Sequence, residues 1–225
     1  MRIAENIALL RQEIPLHVKI IAVSKTMPAF IVREAYDAGQ RIFGENKVQE
    51  LTEKKPLLPP DVEWHMIGHL QTNKVKYIIP FVHLIHAVDS LKLLSVINHE
   101  AAKIGRKIDC LLQMRIAREE TKFGMSFSDA DSLLGSGEFK DFQFVRITGL
   151  MGMATFTDDR LQIKDEFLHL TSFFNELKSK RFSGDSSFRE LSMGMSGDYR
   201  LALEAGSTMI RIGSLIFGER NYNNK

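Results

Sequence analysis

Eight short β-branched or apolar runs alternate with longer helical patterns along this chain, and that alternation limits its fold more than any single motif. The runs cover residues 18–24, 41–43, 62–67, 82–87, 108–114, 144–150, 188–192 and 209–212. Each is of strand length and bounded by turn residues or by the caps of a helix. Helix punctuation marks the segments between them. Pro28 opens one helix and Gly39 closes it, and Ser90 precedes a pattern over 91–103 that ends before Gly105. Asp158 precedes a pattern over 161–180, and Gly197 precedes one over 198–205 with Gly206 after it. A first helix is expected over residues 2–13, packed across the bottom of whatever the strands build. Spread over eight units, 225 residues give about 28 per unit, close to a βαβ step. The pattern predicts an α/β fold: a (β/α)8 TIM barrel over residues 1–225, a single domain with an extra N-terminal helix. An open doubly wound sheet is the competing architecture, but it usually has fewer strands at this length.

Composition narrows the class of function without naming one. Apolar residues make up 44% and charged residues 26% of the chain, which excludes a disordered or collagen-like sequence. The net charge of +2 is too balanced for a nucleic-acid binder, and no apolar stretch reaches the ~20 residues of a membrane span. The opening residues lack a signal-peptide pattern, and the one cysteine, Cys110, cannot form an intramolecular disulfide. The expectation is a soluble cytoplasmic protein.

Active sites of such barrels lie at the C-terminal ends of the strands, which turns the strand assignment into a short set of candidates. Lys25 directly follows the expected strand 18–24, whose Ile20-Ile-Ala-Val23 is apolar. Lysines commonly snorkel to solvent, but here the walls leave little room for it. An ammonium beside low-dielectric walls loses pKa, and the neutral amine attacks carbonyls, pyridoxal phosphate (PLP) among them. After the seventh and eighth strands come Ser192-Met-Gly-Met-Ser196 and Arg211-Ile-Gly-Ser214. These are the positions where barrels bind phosphate on backbone amides and hydroxyls, though Gly and Ser also dominate ordinary turns. Arg211 alternates with Ile210 and Ile212, so it faces either the barrel interior or the helix layer. It is either a structural ion pair or a donor to the ring nitrogen of a pyridine cofactor. Asn46, in Phe43-Gly-Glu-Asn46, either caps the next helix or hydrogen-bonds a ligand. His65 and His69 have a helical metal-ligand spacing in a strand-like context, so no metal site is expected. Cys110 reads as core rather than nucleophile, and 167–174 as the buried face of an outer helix.

Five segments together resemble the YggS/PROSC family of pyridoxal phosphate homeostasis proteins. They are Ile21-Ala-Val-Ser-Lys25, Phe43-Gly-Glu-Asn46-Lys-Val-Gln-Glu50, Trp64-His-Met-Ile-Gly68-His-Leu-Gln-Thr-Asn-Lys74, Leu191-Ser-Met-Gly-Met-Ser196 and 206–218, which contains Arg211-Ile-Gly213-Ser. The resemblance implies a barrel like the N-terminal domain of alanine racemase, without that enzyme's C-terminal β domain. It implies PLP held as a Schiff base on Lys25, with Arg211 facing the pyridine nitrogen and Asn46 beside the ring. Ser192, Gly213 and Ser214 would hold the phosphate; the family often has threonine at position 214. The family's lysine-x-glycine turn is matched only loosely around Lys122, so no role is carried to that residue. The missing domain carries the tyrosine that serves racemisation, and none of Tyr36, Tyr77, Tyr199 and Tyr222 falls at a strand end. A monomeric carrier or regulator of PLP, with PLP-dependent apoenzymes as its partners, is therefore expected. A low-activity amino-acid racemase and a lysine-dependent aldolase are the alternatives.

Overall fold

In a computed structural model, which describes residues 3–118 and 123–219, all eight expected strands are present. They are β1 (Lys19–Val23), β2 (Ile42–Glu45), β3 (Glu63–Met66), β4 (Leu84–Val88), β5 (Ile108–Met114), β6 (Val145–Gly152), β7 (Glu190–Met195) and β8 (Met209–Ile212). Each pairs in parallel with the next, and β8 returns to β1 from Lys19↔Met209 to Ala22↔Ile212. The sheet is a closed (β/α)8 barrel, which removes the open-sheet alternative. Lys122 lies outside the described residues. Among the described residues no helix is long and apolar enough to cross a membrane.

Strand periodicity sorts the side chains into two layers. Outward-facing Ala22, Phe43, Trp64, Ile85, Cys110 and Ile210 belong to the large core beneath the helices. The helix Arg160–Lys180 presents Phe167, Leu170, Phe173 and Phe174 to that core, as its pattern predicts. Cys110 is fully buried there, and burial pushes its thiol pKa up, so it is packing rather than a nucleophile. Inside the barrel the apolar cluster is small: Ile21, Leu84, Ala87, Leu111, Met151 and Met209. The rest of the interior carries polar side chains.

The structure moves several expected boundaries. β7 runs on to Met195 instead of ending at Ser192, because a register shift between Ser192 and Met195 absorbs the glycine that reads as a turn. β2 likewise continues through Gly44 and Glu45. Asp159, not Asp158, caps the long helix, accepting from the N–H groups of Leu161 and Gln162. A helix the pattern did not single out, Phe127–Gly135, starts at a capping box formed by Ser126 and Asp129. The N-terminal helix Ile3–Glu13 does not cross the bottom. Its apolar stripe of Ile3, Ile7 and Leu10 joins the outer core on the flank of the barrel, and Asn6 donates to the Ile216 carbonyl at 3.0 Å.

One close backbone approach sets the register of the barrel wall. Gly149, at a φ of 157°, lies where β6 shifts register, and a β-carbon there would sit 1.7 Å from the Glu190 carbonyl oxygen. Gly149→Ala is expected to lose upwards of about 3 kcal/mol in urea unfolding. Gly105→Ala is the control, since it has a positive φ but open space around it, and it should cost only about 1 kcal/mol.

Candidate functional site

β1 ends at Val23 with Ser24 and Lys25 in the mouth of the barrel, and the turn they enter is held from behind. Thr26 adopts a φ of 66°, a left-handed conformation that disfavours a β-branched residue. Its N–H donates to Glu50 Oε2 at 2.6 Å. The Lys54 ammonium donates to the Ser24 carbonyl at 2.8 Å, to Glu45 Oε1 at 2.7 Å and to Glu50 Oε2 at 3.1 Å. Ser24 Oγ also donates to Glu45 Oε1, at 2.7 Å. Burial raises the Glu45 carboxyl pKa against the pull of Lys54. Burial opposes ionisation of Glu50 as well, yet the Thr26 N–H and Lys54 hold its carboxyl below the usual value. Strained backbone that its surroundings over-determine is typical of functional positions.

The turn delivers Lys25, half-buried, into a cleft of about 630 Å³ at the C-terminal end of the barrel. Asn46, Arg211, Gly213 and Ser214 line the same cleft. Asn46 is not the helix cap, since the helix Val48–Lys54 is preceded by Lys47 and has no side-chain cap. Gly68 allows this placement, since a β-carbon there would come within 2.5 Å of the Asn46 carbonyl oxygen. The turns after β7 and β8 meet where the Gly213 N–H donates to Ser196 Oγ at 3.3 Å, and Ser196 and Gly197 line the cleft beside Gly213 and Ser214.

Arg211 points inward, answering the question its alternation leaves open. It donates to the Ser192 carbonyl at 2.9 Å, to Ser192 Oγ at 2.7 Å and to the Gly152 carbonyl at 2.9 Å. These partners are neutral, and among the described residues Arg211 makes no ion pair; the Asp198 carboxylate acts on it only through space. Burial lowers its pKa to about 10, which leaves it cationic at neutral pH. Ser192 departs from the expectation. It is fully buried in mid-strand and does not line the cleft, because β7 runs three residues further than its sequence suggests. Its hydroxyl accepts from the guanidinium.

Below Ser192 the polar chain continues down the barrel axis. His86 Nδ1 lies 3.0 Å from Ser192 Oγ, and His86 Nε2 lies 2.9 Å from His65 Nδ1. Burial first, then neighbouring positive charge, holds both imidazoles well below the usual histidine pKa, so both are neutral.

With this geometry in place, comparison with known proteins gives one answer. The sequence profile of the family described as alanine racemase, N-terminal domain, matches residues 1–221. The pyridoxal phosphate homeostasis protein of Aquifex aeolicus is 37% identical, over 91% of this chain and 88% of its own length. The human protein of that name is 36% identical, over 100% of this chain and 85% of its own length. The chain belongs to the pyridoxal phosphate homeostasis protein family. Among solved structures, PipY of Synechococcus elongatus is 38% identical and superposes with a TM-score of 0.90 without PLP, covering 96% of this chain and all of that one. The same protein with PLP bound superposes with a TM-score of 0.87.

Within this family member, sequence reasoning missed the bracing of the lysine turn by Glu45, Glu50 and Lys54. A partial signal was present, because Glu50 and Lys54 stand at i and i+4 on one helix. Nothing in the sequence placed Glu45 against them. Removing one partner from a buried ion pair leaves an uncompensated charge. Lys54→Met is therefore expected to cost about 3–5 kcal/mol in urea unfolding, and adding Glu45→Gln to it should recover part of that loss.

Proposed function

We propose that this chain binds PLP in the Lys25 cleft and acts in the cytoplasm as a carrier or regulator of the cofactor rather than as an efficient catalyst. The observation that carries this reading is the convergence on one cleft of an amine, a buried cation and two adjoining Gly/Ser turns. The chemistry of these donors suits the cofactor. Lys25 Nζ is the amine for its aldehyde carbon, joined covalently with loss of water. Gly213, Ser214, Ser196 and Gly197 supply N–H and hydroxyl donors for its phosphate, and Asn46 flanks the ring. Arg211, held by Ser192 and Gly152, faces the pyridine nitrogen. PLP supplies an electron sink when bound, and a cationic donor at that nitrogen leaves it unprotonated and weakens the sink.

The surroundings of the tyrosines favour a carrier over a racemase. Tyr36 donates to Asp61, Tyr199 donates to Glu13, and Tyr77 lines a neighbouring cavity beside Asn46 and His69. None of these three lines the Lys25 cleft, so among the described residues no tyrosine stands opposite the lysine as a second acid–base group. On this reading residues 1–225 form a single PLP-binding domain that works as a monomer and hands PLP to apoenzymes that need it.

Protein incubated with PLP should turn yellow. Borohydride reduction and mass spectrometry should then place one phosphopyridoxyl group on Lys25, and Lys25→Ala should carry none. A colourless wild type, or an adduct that survives in Lys25→Ala, defeats the reading. L-Alanine incubated with the loaded protein in deuterium oxide should gain no Cα deuterium at enzyme-like rates; rapid gain would move the assignment to a racemase.

A further inference from the structure

The opposite end of the barrel holds a second cavity, of about 290 Å³, that shares no lining residue with the Lys25 cleft. It is lined by Glu63 at the start of β3, by His65, by His83 just before β4, and by Thr148 of β6. Three buried side-chain polar atoms among the described residues have no hydrogen-bond partner, and two of them, His65 Nε2 and Thr148 Oγ1, belong to residues lining this cavity. Buried polar atoms are normally satisfied, so two orphans in one cavity point to a ligand.

We propose that Glu63, His65 and His83 form a binding site for a zinc-type divalent cation. Each offers one ligand atom, and the three atoms lie within 4.8 Å of one another. Glu63 Oε2 and His83 Nε2 are 3.5 Å apart, against about 3.4 Å for two ligand atoms each ~2.1 Å from a tetrahedral ion. His65 is the fixed member, 1% exposed, whereas the Glu63 and His83 side chains are 43% and 54% exposed and can turn to close the set. A ligating histidine usually donates its other ring N–H to an acceptor that sets its orientation. His86 Nε2, 2.9 Å from His65 Nδ1, is that acceptor: with a cation on Nε2 the His65 proton resides on Nδ1 and is donated to His86. Solvent fills the fourth position, with the Thr148 hydroxyl at hand to hydrogen-bond it.

The charges lining the cavity balance only with Glu63 included: Lys19, Arg146 and Arg189 stand against Asp109, Glu190 and Glu63. Lys19 and Arg189 share Glu190, at 2.6 and 3.6 Å, and Arg146 donates to both oxygens of Asp109, which leaves the Glu63 carboxylate for the ion. Two imidazoles and a carboxylate favour zinc, cobalt or nickel over magnesium or calcium. Sequence spacing weighed His65 against His69, but the partners lie across neighbouring strands.

Protein stripped of metal with a chelator is titrated with zinc chloride by calorimetry and with cobalt chloride by visible absorption. One equivalent of zinc should bind, with a cobalt d–d band of tetrahedral intensity. Glu63→Gln and His83→Ala, both at exposed side chains, should fold normally and each weaken zinc binding at least tenfold. Lys25→Ala should bind zinc as the wild type does, which separates this site from the fate of the upper cleft. Absence of saturable one-to-one binding, or wild-type affinity in both site variants, overturns the proposal.

Discussion

Pairing of β8 with β1 is the contact on which the rest of this molecule depends. It joins strands from opposite ends of the chain, aligning Ala22 with Ile212, and so sets the lysine turn after β1 beside the Gly213-Ser214 turn after β8. In a flat sheet those two turns would lie at opposite edges. Closure also gives the barrel an interior, and in that interior a cationic arginine donates to two carbonyls and a hydroxyl.

A chain of polar groups fills much of that interior. From Arg211 it passes through Ser192 and His86 to His65, linking the cleft at one end with the cavity at the other. Low dielectric makes each bond strong and each missing partner costly, so such a chain is stable only when its members are satisfied from end to end. The unpartnered His65 Nε2 is where the chain runs out of protein. The second network, behind the Lys25 turn, works differently. There two carboxylates and a lysine hold strained backbone in place, and the strain sits next to the amine the site needs.

Much of the cleft was legible in the sequence because strand ends are marked by composition. Lys25 comes one residue after the apolar Ile20–Val23, and Gly213-Ser214 comes after a run broken only by Arg211, so a rule about barrel mouths finds both. Ser192 shows where that logic fails. Gly194 reads as a turn, yet a register shift absorbs it and carries the strand three residues further, which buries Ser192 beneath Arg211. Asn46 marks a question that the sequence left open: its type is common at helix starts, and only the start of the helix after Lys47 takes the capping role away from it.

By itself the sequence determined the number of strands, the class of fold and the amine at the rim, because these follow from local periodicity and from residues adjacent along the chain. Only the tertiary structure decided which way Arg211 points, that Glu45 meets Lys54, and that His65 finds Glu63 and His83 rather than His69. Those outcomes depend on strand register and on closure of the sheet. A one-residue change in register moves a side chain from one face to the other, and no local pattern encodes that choice.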